Sequence, residues 1–359
     1  MKRHGKLFED IVDPENILLA HKNASKGKSD YRGVQKVNAN KEYYLNKLRT
    51  ILIEKNFTTS DYYVFKVYEP KEREIFKLPY FPDRIVHHAI LNIMKPIWDK
   101  IFIYDVYSSI KGKGIHAAID RLRSFLRNEK DTRYCLQFDI SKFYPSVDHQ
   151  IMMERLEHKI KDPDLLWLLN DIVNSPEGDK GIPIGNYTSQ YFANVYLNKF
   201  DHWIKHDLGI DYYIRYADDG VILSGSKKKL HGIKDAIEKY LGENLELSLN
   251  PKTQVYPVDD RGIDFLGYRT FRDYTLLRKS SAKKFKRKVK TIKNHWKKIP
   301  AQHIISSIMS FVGWIQHCDG YNLVKSYLLE DRKVVKIMDV MSAKMDIDNP
   351  LREKYEVMV

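Results

Sequence analysis

Cysteine is almost missing from this chain of 359 residues: Cys135 and Cys318 are the whole set, and they lie far apart. Two such cysteines cannot build a disulfide framework or, alone, a cysteine-based zinc site. Long uncharged apolar runs are lacking too, and no stretch has the layout of a secretion signal. The expectation is a soluble, cytosolic protein with no membrane attachment. Internal repeats and long low-complexity tracts are likewise lacking. Acid is in deficit, with 47 Asp plus Glu against 61 Lys plus Arg and a formal net charge of +14. That balance favours a polyanionic partner, nucleic acid before a membrane, because neither end shows an amphipathic anchor.

What is present suffices for a sizeable core. Hydrophobic residues make up 43% of the chain, enough for two or three lobes. The 24 tyrosines suit stacking on bases and suit ordinary core packing equally well. The first 40 residues read as polar, with "NASKGKSDYRG" a basic loop. "NKEYYLNKLRTILIEKNF" has helical spacing. "VFKVY" and "REIFKL" read as two strands around Glu69-Pro70-Lys71-Glu72. "DRIVHHAILNIMKPIWDKI" predicts a helix that Pro96 ends or kinks. "YCLQFD" alternates as a strand, and Asp148 is placed to cap "HQIMMERLEHKI". In "GIPIGNYTSQ" Thr188 or Ser189 is the expected N-cap of a long helix, with Phe192, Val195, Tyr196, Phe200 and Trp203 along one side. "YYIRY" and "GVILSG" form a hairpin, a helix carries Leu230, Ile233, Ile237 and Leu241, and "LELSLN" and "GIDFLGYRTF" read as strands. The class is α+β, with helices on one face of an antiparallel sheet. From about residue 280, Phe285, Val289, Ile292 and Trp296 mark a basic amphipathic helix of a last, mainly helical lobe. Its one-sided charge favours a phosphate-facing surface over a merely solvated one.

Asp218 and Asp219 stand side by side at the predicted hairpin tip, and Asp139 ends a predicted strand. Adjacent carboxylates repel, so the arrangement is unfavourable unless a cation offsets it. Turn chemistry is the plain explanation, because Asp-Asp-Gly suits a tight turn. If the strands are neighbours, three carboxylates meet at one sheet edge and suit Mg²⁺, a hard ion that takes oxygen ligands together with substrate phosphates. Two such ions stabilise the attacking and leaving oxygens of a displacement at phosphorus.

"YADD" between apolar strands resembles the signature of reverse transcriptases, and the other motifs follow in that family's order. "QFDISKFYPSVD" resembles the first palm motif and "GIPIGNYTSQ" the next. "NPKTQVYPV" and "IDFLGY" resemble later palm motifs, and "EPKEREI" a fingers motif. The resemblance implies a right-hand polymerase: an N-terminal extension and fingers over 1–130, a palm over 131–268 with fingers elements inserted around 150–185, and a helical basic thumb and tail over 269–359. It implies that Asp139, Asp218 and Asp219 hold two Mg²⁺ ions, with Mn²⁺ a substitute. Lys71 and Arg73 would neutralise nucleotide phosphates, or else pair on the surface with Glu69 or Glu72. Tyr144 would lie beneath the sugar and exclude a 2′-hydroxyl, or be plain core. Lys252 would meet the departing pyrophosphate and Gly267 would support the primer end. Lys283, Lys284, Lys286, Arg287 and Lys288 would bind template and primer. The implied partners are template RNA, cDNA or primer, and deoxynucleoside triphosphates.

One departure narrows the resemblance. Most of these enzymes place Gln before the loop glycine and Ser-Pro after it; here Ile184 precedes Gly185, and Gln190 follows Ser189. Ile-Gly-x-x-x-Ser-Gln resembles the reverse transcriptases of diversity-generating retroelements, which copy RNA inaccurately at adenines and work with a basic accessory protein. An aliphatic side chain at the nucleotide removes a hydrogen bond that favours correct geometry; alternatively, Ile184 only packs against the fingers. No appended zinc-bearing nuclease is expected. Two readings compete: another bacterial reverse transcriptase (retron-like, group II-derived or phage-defence), and a non-catalytic RNA-binding protein with a polymerase fold. Intact aspartates argue against the second.

Overall fold

In the computed structural model of the protein, residues 3–68 and 72–351 are described. They fall into two compact units. The first draws on Met1–Gly114, Leu136–Ile222 and Lys228–Gln254, the second on Ile115–Cys135, Leu223–Lys227 and Val255–Val359.

Three sheets organise the strands. β1 (Tyr63–Val67) and β2 (Arg73–Lys77) pair antiparallel as an exposed ribbon. β3 (Tyr134–Asp139), β4 (Tyr213–Tyr216), β5 (Asp219–Ser224) and β6 (Gln254–Pro257) make a sheet in the order β4-β5-β3-β6. β7 (Ile263–Phe265), β8 (Tyr268–Thr270) and β9 (Thr275–Leu277) form an antiparallel meander. The order of the second sheet places the end of β3 beside the β4–β5 hairpin, as a meeting of the carboxylates requires. The predicted hairpin is there, with Tyr213 opposite Ile222 and Tyr216 opposite Asp219. Tyr213, Ile214, Val221 and Ile222 are all buried, so this is a core hairpin whose tip alone reaches the site. Gly220 is fixed by packing: a Cβ there would lie 2.2 Å from Cζ of Phe138.

The helix Tyr187–His202 is buried on nearly every side, by Tyr191, Phe192, Val195, Tyr196 and Phe200 among others, which marks it as a central helix and not a surface one. Its start corrects the expected cap: Asn186 stands at the N-cap position, and Thr188 and Ser189 are buried in the first turn. Trp203 falls in the turn that follows and is half-buried. Asp148 does cap its helix, accepting the Ile151 N–H at 2.9 Å. Pro96 sits in the last turn of Ile85–Trp98, which runs two residues beyond it. That position is tolerable because only one turn of ladder is affected. "LELSLN" contributes a single bridge, Leu249 to Ile140, because the helix Lys227–Leu245 runs into its start. The polar N-terminal stretch holds helices that residue patterning missed, the two longest being Pro14–Ser25 and Arg32–Ala39. Asp13 caps the first of them, accepting the Glu15 N–H at 2.8 Å, with Pro14 at the opening position.

In the second unit, the basic helix Lys279–His295 turns Phe285, Val289 and Ile292 into a core shared with Ile304, Ile308, Val334 and Met338. Trp296 lies just past its end and is only half-buried. No helix among the described residues is long and apolar enough to cross a membrane.

Candidate active site

Asp139 is the last residue of β3. Its carbonyl accepts the Asn250 N–H at 2.8 Å, and its Oδ2 accepts the Asn250 side-chain amide at 2.9 Å. The Ile140 N–H donates to the Asp218 carbonyl at 3.2 Å, which ties the end of β3 to the hairpin tip. At that tip Ala217 has φ 54°, a left-handed conformation that a residue with a Cβ rarely adopts. Asp218 follows it, half-buried. Burial pushes the Asp218 carboxyl up to about 6; the Asp139 charge and a hydrogen bond between the two carboxyls add to this, and Arg73 opposes it. The two carboxylates are therefore brought into direct interaction. Asp219 opens β5 opposite Tyr216 and is exposed. Among the described residues no group of three or more His, Cys, Asp or Glu side chains is gathered for a metal. Asp218 is set against Asp139, and Asp219 follows it directly in the chain.

Arg73 begins β2, exposed, and its charge reaches both Asp218 and Tyr144. Lys71 lies outside the described residues. Tyr144 sits half-buried in the short helix Phe143–Ser146, close after Asp139 in sequence. Burial pushes its phenol up to about 12, Asp218 adds to that, and Arg215 and Arg73 oppose it. At neutral pH the group is a neutral donor and a bulky ring.

The loop before the central helix docks on β2 through its backbone. The Phe76 N–H donates to the Ile184 carbonyl at 2.8 Å. Gly185 has φ +124°, and a Cβ on it would lie 2.5 Å from the Phe76 carbonyl oxygen, so only glycine admits this contact. Ile184 itself is half-buried. Lys252 is exposed in the turn after Asn250, its N–H bonded to Asn250 Oδ1 at 3.0 Å. In the second unit, Gly267 has φ +90°, and a Cβ there would meet Trp314 at 2.8 Å, so backbone conformation and packing both favour glycine. Lys283, Lys284, Lys286, Arg287 and Lys288 all lie on the basic helix, and all five are exposed.

Residue patterning overlooks two groups. Asn250, the amide donor on Asp139, carries only the weak signal of an Asn-Pro turn. Arg215 is a fully buried guanidinium that donates to the Ala217 carbonyl at 2.7 Å. A lone charge in the apolar strand "YYIRY" is its signal.

The donor set suits a hard divalent cation. Two carboxylates held together, one of them pushed up to about 6 by burial first and by its neighbour's charge second, are groups whose repulsion a cation relieves. Asp139 and Asp218 would hold it.

The match to known proteins agrees with this geometry. Residues 70–270 match the model of the reverse transcriptase (RNA-dependent DNA polymerase) family. The chain belongs to the reverse transcriptase family. Its mixed helix and sheet make it an α+β right-hand polymerase fold. Protein YkfC of Escherichia coli (strain K12) is 28% identical over 58% of this chain and 66% of its own length. The group II intron-encoded protein LtrA of Lactococcus lactis subsp. cremoris is 20% identical over 62% of this chain and 48% of its own length. The matches thus span only part of these relatives. A solved structure of telomerase from Candida albicans with a fragment of telomeric RNA aligns over 81% of this chain and 60% of that chain, with TM-score 0.45 and 11% identity.

Proposed function

We propose that the protein is an RNA-directed DNA polymerase that copies a template RNA into cDNA from deoxynucleoside triphosphates. The observation that carries this is the Asp139–Asp218 pair, with Arg73 and Tyr144 around it, in a chain of the reverse transcriptase family. A primer 3′-hydroxyl would attack the α-phosphorus and pyrophosphate would leave. Asp139 and Asp218, with Asp219 beside them, would hold the Mg²⁺ ions, which supply charge stabilisation at the attacking and leaving oxygens. Arg73 balances negative charge where the triphosphate would lie, and Lys71 and Lys252 would do the same from neighbouring loops. Tyr144, neutral and beside Asp218, would sit under the sugar and leave no room for a 2′-hydroxyl. Fingers over 1–130, palm over 131–268 and thumb over 269–359 remain the proposed division. In the last of these the lysines and Arg287 of the basic helix would follow the template-primer backbone. Extension of a DNA primer on a homopolymer RNA in Mg²⁺ tests the activity. RNA binding without extension would favour a non-catalytic RNA-binding protein.

Two finer readings each rest on an observation. The Ile184-Gly185 loop supports an error-prone enzyme of the diversity-generating type, working with a basic accessory protein. Similarity to a group II intron-encoded protein supports a group II-derived enzyme at least as well. Sequencing cDNA made on one defined RNA by wild type and Ile184→Gln separates them. In the diversity-generating reading wild type errs chiefly at template adenines, and the restored hydrogen bond, worth on the order of 1 kcal/mol, lowers that error about five-fold. A wild type already accurate at adenines favours the group II-derived reading.

A further inference from the structure

Arg215 lies on β4 with no solvent exposure, and its charged fork is met on two sides. Nε and Nη2 donate to Asp201 Oδ1 and Oδ2 at 2.7 and 2.6 Å. Nη1 donates to Asn194 Oδ1 at 3.3 Å and to the Ala217 carbonyl at 2.7 Å. The acceptors are themselves held: Tyr213 donates its hydroxyl to Asp201 Oδ1 at 2.7 Å, and Asn194 donates its amide to the Ser108 carbonyl at 2.9 Å. Asn194 and Asp201 stand about two turns apart on the central helix and so share one face. Asp201 is fully buried and Asn194 nearly so. The Arg215 backbone is pinned as well, its N–H donating to the Asp105 carbonyl and its carbonyl accepting the Tyr107 N–H, both at 3.0 Å.

A buried ion pair is weak evidence of stability, since an apolar pair of similar volume often serves as well. What an apolar pair cannot supply is the fourth contact, the bond to Ala217. That residue is the strained one, at φ 54°, and Asp218 comes next. Unfavourable backbone of this kind persists only where its surroundings hold it.

We propose that Arg215 is a positioning residue: through the Ala217 carbonyl it fixes the left-handed turn that sets Asp218 against Asp139. The proposal rests on the reading of that pair as the polymerase centre. It also links the central helix, whose first turn follows the Ile184-Gly185 loop, to the carboxylate tip through Asn194 and Asp201. Lysine cannot replace the fork, since a point charge meets Asp201 or Ala217 but not both with the same geometry.

The test uses the full chain with two variants, Arg215→Lys and the double variant Asp201→Leu/Arg215→Met. Three measurements apply to each: amide hydrogen exchange by mass spectrometry, Mn²⁺ binding by electron paramagnetic resonance, and primer-extension kinetics. Positioning predicts faster exchange in residues 213–222 while the helix Tyr187–His202 stays protected. It predicts Mn²⁺ affinity lower by about 10-fold and kcat lower by about 100-fold, with nucleotide KM unchanged. A folded variant with wild-type exchange at the tip and wild-type kcat overturns the proposal. So does uniform loosening of hairpin and helix, or failure of both variants to fold, because Arg215 then only holds the fold together. If wild type itself extends no primer, the polymerase reading fails, and the exchange and Mn²⁺ results still decide the positioning claim.

Discussion

A carboxyl placed half-buried beside another carboxyl destabilises the metal-free fold, and the sign of that effect is measurable at Asp218. Its folded pKa is raised from 3.8 to about 6. Below the lower value the group is protonated in both folded and unfolded chains and contributes nothing. Between the two values the folded state holds the extra proton, so stability falls as pH rises, and above about 6 the loss is complete. Asp218→Asn keeps the shape and removes the charge. Without metal, its melting temperature is expected to exceed that of wild type by a few degrees at about pH 7.5, with the gap closing near pH 4. Mg²⁺ is expected to raise the melting temperature of wild type and not of the variant. A gap independent of pH between those limits contradicts the raised Asp218 pKa. At this scale the sequence was informative about the aspartates, because two acids between apolar strands repel unless a tight turn or a cation accommodates them. It was uninformative about Asn250 and Arg215. Their roles come from bonds to Asp139 and to the Ala217 carbonyl, which depend on partners that a linear reading does not see.

At the scale of elements, the loop before the central helix and the β1–β2 ribbon act together through backbone alone. Gly185→Ala would drive a Cβ to 2.5 Å from the Phe76 carbonyl at a φ that alanine avoids. The ribbon, carrying Arg73, has to shift. The expected outcome is a folded protein whose nucleotide KM rises about 10-fold or more, with template-primer affinity retained, measured by steady-state primer extension. Unchanged KM would mean that the ribbon's position is set elsewhere. The basic helix Lys279–His295 makes a different prediction, since most of its cations lie outside a buried apolar stripe. Replacing Lys283, Lys284, Lys286 and Lys288 with Gln is expected to weaken template-primer binding and flatten the slope of log K against log salt by about 0.7 to 0.9 for each phosphate no longer neutralised. An unchanged slope would make this a solvated face. Elements with a clean period were legible, such as β3, the hairpin and this helix. The N-terminal helices were not, because Pro14–Ser25 carries polar residues around most of its circumference and its composition suggests a loop, although Asp13-Pro14 marks its start.

For the molecule as a whole, the order of motifs along the chain anticipated the sheet order, because β3 and the hairpin had to be neighbours for the aspartates to make sense. The linear reading expected three carboxylates at one edge; Asp139 and Asp218 interact directly there, and Asp219 follows at the start of β5. The excess of cations carries a complementary expectation, that RNA binding resides in broad basic surfaces and survives loss of the carboxylates. The measurement that bears most directly on the central claim is therefore paired: template-primer binding and DNA synthesis by wild type and by Asp218→Asn, on the same RNA, in Mg²⁺. The account predicts equal binding and a fall in synthesis of at least about 1,000-fold, the scale of charge-stabilising groups removed from a reaction centre. Robust synthesis by the Asp218→Asn protein would contradict it.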